Sequence, residues 1–120
     1  MLKDWQAMAT ELTGDIRSLR AGAPDVMKGF SALAQAALKA DALDGKTKEL
    51  IALAIAVATR CDGCIAFHAE AAMKQGATRA EVLETMGMAV YMGAGPSVMY
   101  AAQALEAFDQ FTAKSAARAA

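Results

Sequence analysis

The chain has 120 residues, of which 56% are hydrophobic, and 12 basic against 13 acidic side chains leave a formal net charge of −1. This length fits a single domain spanning residues 1–120, and the near-neutral charge balance lacks the basic patch typical of nucleic-acid-binding proteins. The hydrophobic fraction exceeds the roughly 45–50% usual in soluble domains, so we expect subunit contacts and a homo-oligomer.

Six helical segments and no convincing strand are predicted, which indicates an all-α fold, a compact bundle of about six helices. Apolar residues recur at helical spacing in the segments. The first helix covers residues 3–21 and ends at Gly22. The second begins at Pro24, a residue suited to the first helical position, and ends before Asp44 and Gly45. The others cover residues 46–60, 62–75, 79–92 and 96–113, and the tail, residues 114–120, is expected to fray.

Local signals mark the ends of the later helices. Asp44 is a suitable N-cap for the third helix, and Gly76 is a suitable stop for the fourth. Thr78 and Glu81 have the spacing of a capping box, which predicts the start of the fifth helix. The sequence Gly93-Ala94-Gly95 predicts a flexible break before the sixth helix.

The third helix is apolar almost all round. Residues 50–58 are leucine, isoleucine, valine or alanine only, and a helix without a polar face is buried on most sides. We therefore expect it at the centre of the bundle or at a subunit interface. Ile51, Ile55 and Val57 would also suit a buried strand, but the length of the segment and its four alanines favour a helix.

The same apolar stretch is too short to cross a membrane. Residues 50–59 make a run of about ten, whereas a transmembrane helix needs roughly 20. The first five residues lack the apolar region of a signal peptide. We therefore expect no membrane association and a cytoplasmic location, where a close cysteine pair is more often catalytic or metal-binding than structural.

The chemistry-bearing residues of the chain are concentrated at the start of the fourth helix. The only two cysteines are Cys61 and Cys64, and the only histidine is His68. On a helix that begins near Asp62, Cys64 and His68 lie one turn apart on the same face. Free N–H groups at the helix start stabilise a thiolate, and Arg60 adds positive charge nearby. The imidazole can accept the thiol proton near neutral pH, and a sulfenic acid on Cys64 can condense with Cys61 to a disulfide.

Glu49 is a candidate partner for His68, but simple helix geometry opposes a contact within one subunit. Continuous helix from Glu49 to Cys61 spans about 18 Å, and His68 returns only about 10 Å from the turn. A contact would require a bent helix, a crossing that the sequence does not reveal, or a neighbouring subunit that supplies one of the two residues.

The spacing Glu49, eleven residues, then Cys61-x-x-Cys64-x-x-x-His68 resembles the signature of the alkylhydroperoxidase AhpD / carboxymuconolactone decarboxylase family. The resemblance implies an all-α fold that usually assembles as a homotrimer or homohexamer. The AhpD branch reduces organic hydroperoxides through its cysteine pair, with an external thiol or dithiol as reductant. The branch that decarboxylates lactones lacks the cysteine pair, so Cys61 and Cys64 favour the peroxidase branch.

Carried over by position, the resemblance assigns four roles. Cys64 matches the cysteine that becomes a sulfenic acid, and Cys61 matches its resolving, proton-donating partner. Glu49 and His68 match the proton-relay residues. This chemistry needs no metal, haem or flavin. The chain departs from AhpD at Gly63, where AhpD has a second histidine, so activity toward peroxide is expected to be weaker or the natural substrate different.

Other interpretations of the same residues remain open. The cysteines would also suit buried structural thiols, or a zinc site completed by His68 and Glu49. A redox sensor, a non-catalytic oligomeric partner and a decarboxylase acting on a ring acid are alternative functions. The methionines and tyrosines around the predicted break fit an adaptable core better than a pocket for an apolar hydroperoxide; they are Met86, Met88, Tyr91, Met92, Met99 and Tyr100.

Overall fold

Helices form all of the regular secondary structure in residues 1–119, the part of the chain that the computed structural model describes. This confirms the all-α prediction. The helices follow the chain as α1 Trp5–Gly22, α2 Pro24–Leu38, α3 Gly45–Ala58, α4 Asp62–Lys74 and α5 Arg79–Ala119. No helix within these residues is both long and apolar enough to span a lipid bilayer.

The predicted helix ends are confirmed where a local signal determines them. The Asp44 carboxylate accepts a hydrogen bond of 2.8 Å from the backbone N–H of Thr47 and caps α3. Thr78 and Glu81 exchange side-chain and backbone hydrogen bonds of 2.8 and 3.1 Å, the reciprocal pattern of a capping box. After α4 the chain turns at Gly76 with a φ of 85°, a conformation natural to glycine.

A break divides α5 where the sequence predicts it. Ala94 has φ 54° and ψ −142°, outside the helical region, and Pro96 follows two residues later. Gly93 lies against the buried side chain of Ser97, and a Cβ at Gly93 would lie 1.9 Å from the Ser97 hydroxyl. Glycine is therefore required at this close contact, and α5 consists of two helical halves.

The fraying predicted for residues 114–120 is wrong for residues 114–119, because α5 remains helical to Ala119. Phe111 is buried at the base of this last segment and anchors it to the core. The alanines that follow have the highest helix propensity of any residue. Ala120 lies outside the described residues.

The core lies between α3, α4 and α5, and the start of α1 closes it. Its largest fully buried side chains are Trp5, Phe111, Leu53, Ile65, Val57 and Val82. Alanines fill the space between them, for example Ala66, Ala69 and Ala104. Small side chains let the helices approach closely, so α3 and α4 are held firmly on either side of the turn that joins them.

Two apolar surfaces remain uncovered in the single chain. Helix α2 buries no residue completely, and Val26, Phe30 and Leu33 on it are 60–72% exposed. Helix α3 is not buried on all sides as a central helix would be, since Ile51 and Ile55 are 44% and 56% exposed. A single chain of this size has too few helices to cover every apolar face, which leaves the subunit-interface interpretation of α3 in place.

Candidate active site

The turn between α3 and α4 sets the position of the cysteines. It is a Schellman motif, in which the N–H groups of Arg60 and Cys61 bond the carbonyls of Val57 and Ala56 at 3.2 and 3.0 Å. Arg60 adopts φ 55°, at the position where helices usually place glycine. A residue other than glycine in this conformation carries local backbone strain, directly before Cys61 in the chain.

Cys61 is the N-cap of α4, and its sulfur accepts a hydrogen bond of 3.2 Å from the backbone N–H of Cys64. The two sulfurs are bonded to each other as a disulfide, with their Cα atoms 5.2 Å apart. Both residues are half-buried. The sequence predicts that the helix start stabilises the sulfur of Cys64, but the structure directs that N–H toward Cys61. In the reduced pair, the helix N-terminus therefore favours a thiolate on Cys61.

His68 and Glu49 meet within one chain. Nδ1 of His68 lies 2.9 Å from Oε2 of Glu49, and Glu49 is 5% exposed. The expected obstacle was wrong because α3 ends at Ala58, so its rise from Glu49 is about 13.5 Å rather than 18. His68 returns about 9 Å along α4 from Asp62, and the two side chains reach across the difference.

This contact orders the imidazole for proton transfer. A carboxylate can only accept hydrogen bonds, so an ionised Glu49 holds the proton of the neutral ring on Nδ1. Nε2 is then the basic nitrogen, and the ring is half exposed, with 31% of its side-chain surface accessible. Glu49 also stabilises the ring after it has gained a proton.

Helix α1 covers the motif from the other side. A Cβ added at Gly63 would lie 2.9 Å from Cδ1 of Leu12, closer than real Cβ contacts come. A side chain at Gly63 would therefore require Leu12 of α1 to shift. This is the position at which AhpD has its second histidine. Lys3 also reaches the motif, with Nζ 2.6 Å from Oδ2 of Asp62. Sequence reasoning missed Leu12 and Lys3, because no local pattern links them to residues about 50 positions away.

A groove of about 400 Å³ runs between α3 and the break in α5, close to the cysteine turn. Its lining includes Ile55, Met88, Met92, Ser97 and Arg60. The preferred interpretation of these methionines as core is wrong for most of them. Met88, Met92 and Met99 are 59–78% exposed and Tyr91 is 79% exposed, whereas Met86 is buried. Met88 and Met92 line the open groove beside α3, and Met99 is exposed outside it.

A zinc site needs both cysteines as free thiolates, whereas in this structure the two sulfurs are bonded to each other. The zinc interpretation therefore applies only to the reduced pair. Within residues 1–119, histidine, cysteine, aspartate and glutamate side chains form no group of three or more that is arranged to hold a metal ion.

Comparison with known proteins relates this geometry to one family. A model of the carboxymuconolactone decarboxylase family matches residues 24–107, which include the cysteine turn and both partners of the histidine contact. Among curated proteins, an uncharacterised protein of Cupriavidus necator is 36% identical over 113 residues, covering 94% of this chain and 100% of that protein. An uncharacterised protein of Haemophilus influenzae is 41% identical over 108 residues, covering 90% of this chain and 96% of its own.

Two solved structures share the fold. The apo form of a carboxymuconolactone decarboxylase family protein from Legionella pneumophila superposes with a TM-score of 0.87 at 57% identity, covering 89% of this chain and 96% of that one. A protein from Thermotoga maritima superposes with a TM-score of 0.71 at 27% identity, covering 80% and 90%.

Proposed function

Because this chain belongs to the carboxymuconolactone decarboxylase family, we propose that it is a thiol-dependent peroxidase that reduces organic hydroperoxides by a dithiol–disulfide cycle. The observation that carries the proposal is the disulfide between Cys61 and Cys64 at the start of α4, one helical turn from His68. The buried Glu49 bonded to that histidine supports it. The pair supplies the electrons, and the histidine and glutamate handle the protons.

The oxidative half of the cycle uses both sulfurs. The Cys64 thiolate attacks the terminal oxygen of the hydroperoxide, so that an S–O bond forms as the O–O bond breaks and an alcohol leaves after protonation. Sulfur loses two electrons, and the hydroperoxide gains them. The Cys61 thiolate then attacks the sulfenic sulfur of Cys64, the disulfide forms, and hydroxide leaves as water once it is protonated. The Cα separation of 5.2 Å in the closed pair lies within the range usual for disulfides.

Protons travel through His68 in both steps. Its Nε2 takes the thiol proton of Cys64 and returns it to the leaving alkoxide or hydroxide. Glu49 stabilises the protonated ring while it holds that proton. The burial of Glu49 strengthens this interaction, because the surrounding apolar side chains screen it less than water would.

An external thiol or dithiol restores the pair, in the cytoplasm where we expect the protein to reside. Attack on the sulfur of Cys64 releases Cys61 as a thiolate. The hydrogen bond from the Cys64 N–H to the Cys61 sulfur stabilises that leaving group, and a thiol of lower pKa leaves faster. The sulfur that caps α4 is therefore suited to the reductive half of the cycle.

The groove between α3 and α5 suggests an organic rather than an inorganic peroxide. Its volume of about 400 Å³ lies within the range of small-molecule sites. Methionine and isoleucine side chains on its walls suit an apolar alkyl or aryl group, and Arg60, which also lines the groove, precedes Cys61 in the chain. A hydroperoxide whose carbon skeleton lies in the groove would bring its peroxide group toward the cysteine turn.

Turnover of cumene hydroperoxide with a dithiol reductant tests the proposal. We expect Cys64→Ser to have no activity above that of the double variant Cys61→Ser/Cys64→Ser. Without added dithiol, Cys61→Ser should consume one equivalent of peroxide and stop, because its sulfenic acid has no resolving partner within the chain. Mass spectrometry of the wild type should show the loss of two hydrogens across the pair after oxidation.

Three outcomes would overturn the proposal. Undiminished turnover by Cys64→Ser would remove the nucleophile. Disulfide formation with one equivalent of oxidant, without turnover by any dithiol, would indicate a redox sensor instead. Decarboxylation of a ring acid that survives the loss of both cysteines would indicate a decarboxylase.

We also propose that the chain forms a homotrimer or homohexamer, with α2 as a contact surface for a second copy. The exposed Val26, Phe30 and Leu33 are four and three residues apart on α2 and form one apolar face, which favours contact with another chain. Light scattering after size exclusion should give three or six times the chain mass, and Leu33→Glu should reduce it. Gln35→Glu, at an exposed polar position on the same helix, is the matched control. A monomeric wild type at micromolar concentration would refute this proposal.

A further inference from the structure

The N-terminal segment carries a cation to the cysteine motif. Nζ of Lys3 lies 2.6 Å from Oδ2 of Asp62, the residue that follows Cys61. The same ammonium lies 2.6 Å from Oε1 of Gln103 on α5 and 5.4 Å from the centre of the Trp5 ring. Three separate contacts therefore hold one lysine in place beside the motif.

The backbone around Lys3 is anchored as well. Trp5 is fully buried, and its indole donates a hydrogen bond of 3.0 Å to Glu106. The carbonyl of Lys3 accepts a hydrogen bond of 2.7 Å from Gln110. These contacts fix the backbone at Lys3, so the side chain starts from a fixed point when it reaches Asp62.

Asp62 creates an electrostatic conflict that Lys3 offsets. Asp62 is the first residue of α4, where the helix dipole favours a negative charge. The sulfur of Cys61 caps the same helix end, so a thiolate there competes with the carboxylate for the same field. Like charges so close destabilise each other, and a fixed cation on the carboxylate reduces that repulsion.

We propose that Lys3 is a positioning residue for the dithiol, which neutralises Asp62 and so sets the thiolate content and redox potential of the Cys61–Cys64 pair. The inference rests on the proposed redox role of that pair. Residues 1–23 lie outside the segment that matches the family, residues 24–107. Lys3 is therefore not part of the segment that defines the family match.

Two substitutions that break the same ion pair test the inference. If Lys3 acts through its charge, the two variants should shift the thiolate fraction in opposite directions, whereas a purely structural role predicts shifts in the same direction. Lys3→Met leaves the Asp62 carboxylate uncompensated, so it should lower the thiolate fraction at neutral pH and favour the disulfide in equilibrium with glutathione. Asp62→Asn leaves the ammonium uncompensated and should do the opposite. Each shift in the equilibrium constant should be about three- to tenfold, up to about 30 mV in potential. The double variant should return close to the wild type.

The readouts are the ultraviolet absorbance of the thiolate against pH and the glutathione equilibrium, both measured without peroxide. A failure of peroxidase activity therefore leaves this test intact, and the reverse also holds. Shifts of both single variants in the same direction would overturn the inference, because a merely structural tether is lost in either variant. The opposite shifts should shrink in about 1 M salt, since the pair is partly exposed.

The matched control is Lys46→Met. Lys46 pairs with Glu81 at 2.8 Å, with side-chain exposures of 34% and 36%, close to the 31% and 38% of the Lys3–Asp62 pair. This variant removes an equivalent surface pair away from the cysteines, so the thiolate titration should match that of the wild type. A shift as large as that of Lys3→Met would overturn the inference, because it would show that the loss of any surface lysine is sufficient.

Discussion

Replacement of Glu49 by glutamine isolates the charge behind His68. In the wild type, Oε2 of Glu49 lies 2.9 Å from Nδ1 of His68, and Glu49 is buried. Glutamine has the same shape, and its carbonyl oxygen can accept the same hydrogen bond. The substitution therefore retains the packing and the orientation of the ring and removes only the negative charge.

The size of the effect follows from the kind of hydrogen bond that is exchanged. A hydrogen bond to a charged group contributes about 1.5–3 kcal/mol, and a neutral one contributes about 0.5–1.5 kcal/mol. The protonated ring keeps a hydrogen bond to the amide oxygen but loses the attraction between opposite charges, which we take as the difference between these two ranges, about 1–1.5 kcal/mol. If that ring forms in the rate-limiting step, kcat/KM for hydroperoxide reduction falls about five- to fifteenfold.

Steady-state turnover of cumene hydroperoxide, together with thermal unfolding, measures this prediction. Glu70→Gln is the matched control, because Glu70 is a half-buried acid on α4, two residues from His68, and pairs with Lys74 at 3.8 Å. We expect that control to stay within about twofold of the wild type. A folded Glu49→Gln variant with wild-type kcat/KM would refute the reasoning, since the charge would then contribute nothing to the reaction.

Three further predictions concern acid stability, backbone strain and substrate preference. A hydrogen bond from the indole of Trp5, with others from nearby backbone N–H groups, lowers the pKa of Glu106 below its ordinary value of 4.5. Stability from these contacts is full above that value and is lost as pH falls through the lower folded-state pKa, so the excess of the wild-type melting temperature over that of Glu106→Gln should be full above about pH 4.5 and shrink progressively below it. Ala94→Gly should raise the free energy of unfolding in urea by about 1 kcal/mol, because the conformation at Ala94 costs other residues about 1–3 kcal/mol and glycine loses about 0.5–1 kcal/mol in chain entropy. Met92→Gln should raise KM for cumene hydroperoxide about fivefold, by the loss of apolar contact in the groove, and leave kcat/KM for hydrogen peroxide unchanged in the same assay.

Matched substitutions on α5 serve as controls for these predictions. Glu84→Gln changes an exposed acid and should leave the acid profile as in the wild type. Ala102→Gly, at an exposed and regular helical position, should destabilise by about 1 kcal/mol. Met99→Gln changes an exposed methionine outside the groove lining. An unchanged acid profile for Glu106→Gln, a destabilised Ala94→Gly or equal losses toward both peroxides in Met92→Gln would contradict the respective argument.

The helix ends were predictable because each depends on a few adjacent residues. Asp44 and the Thr78–Glu81 box act within a single turn, and Gly76 requires only its own φ angle. The extension of α5 to Ala119 was not predictable in the same way. It depends on Phe111, whose burial is set by the packing of α5 against the core.

Burial was harder to predict than helix formation. The pattern on α2 and α3 identifies apolar faces correctly, but it does not tell whether the same chain or another copy covers them. Ile51 and Phe30 show this: both fit a core-facing stripe, and both are exposed here. The exposed methionines of α5 pose the same problem.

In the candidate site too, contacts between neighbouring residues were predictable and contacts between distant residues were not. Cys61 and Cys64 are three residues apart, so their proximity follows from sequence alone. The contact of Glu49 with His68 depends on where α3 ends, and a difference of three residues at that point changes the distance by about 4.5 Å. Lys3 reaches Asp62 only because Trp5 anchors the N-terminus in the core, and no sequence spacing encodes that arrangement.

One sulfur atom serves two purposes at the start of α4. The sulfur of Cys61 receives the amide proton of Cys64 and is also half of the disulfide. Because the chemical environment of an amide depends on the atom that accepts its proton, the backbone resonance of Cys64 will differ between the two oxidation states. The amide resonance of Cys64 therefore reports the ratio of disulfide to dithiol directly, without dyes or trapping reagents.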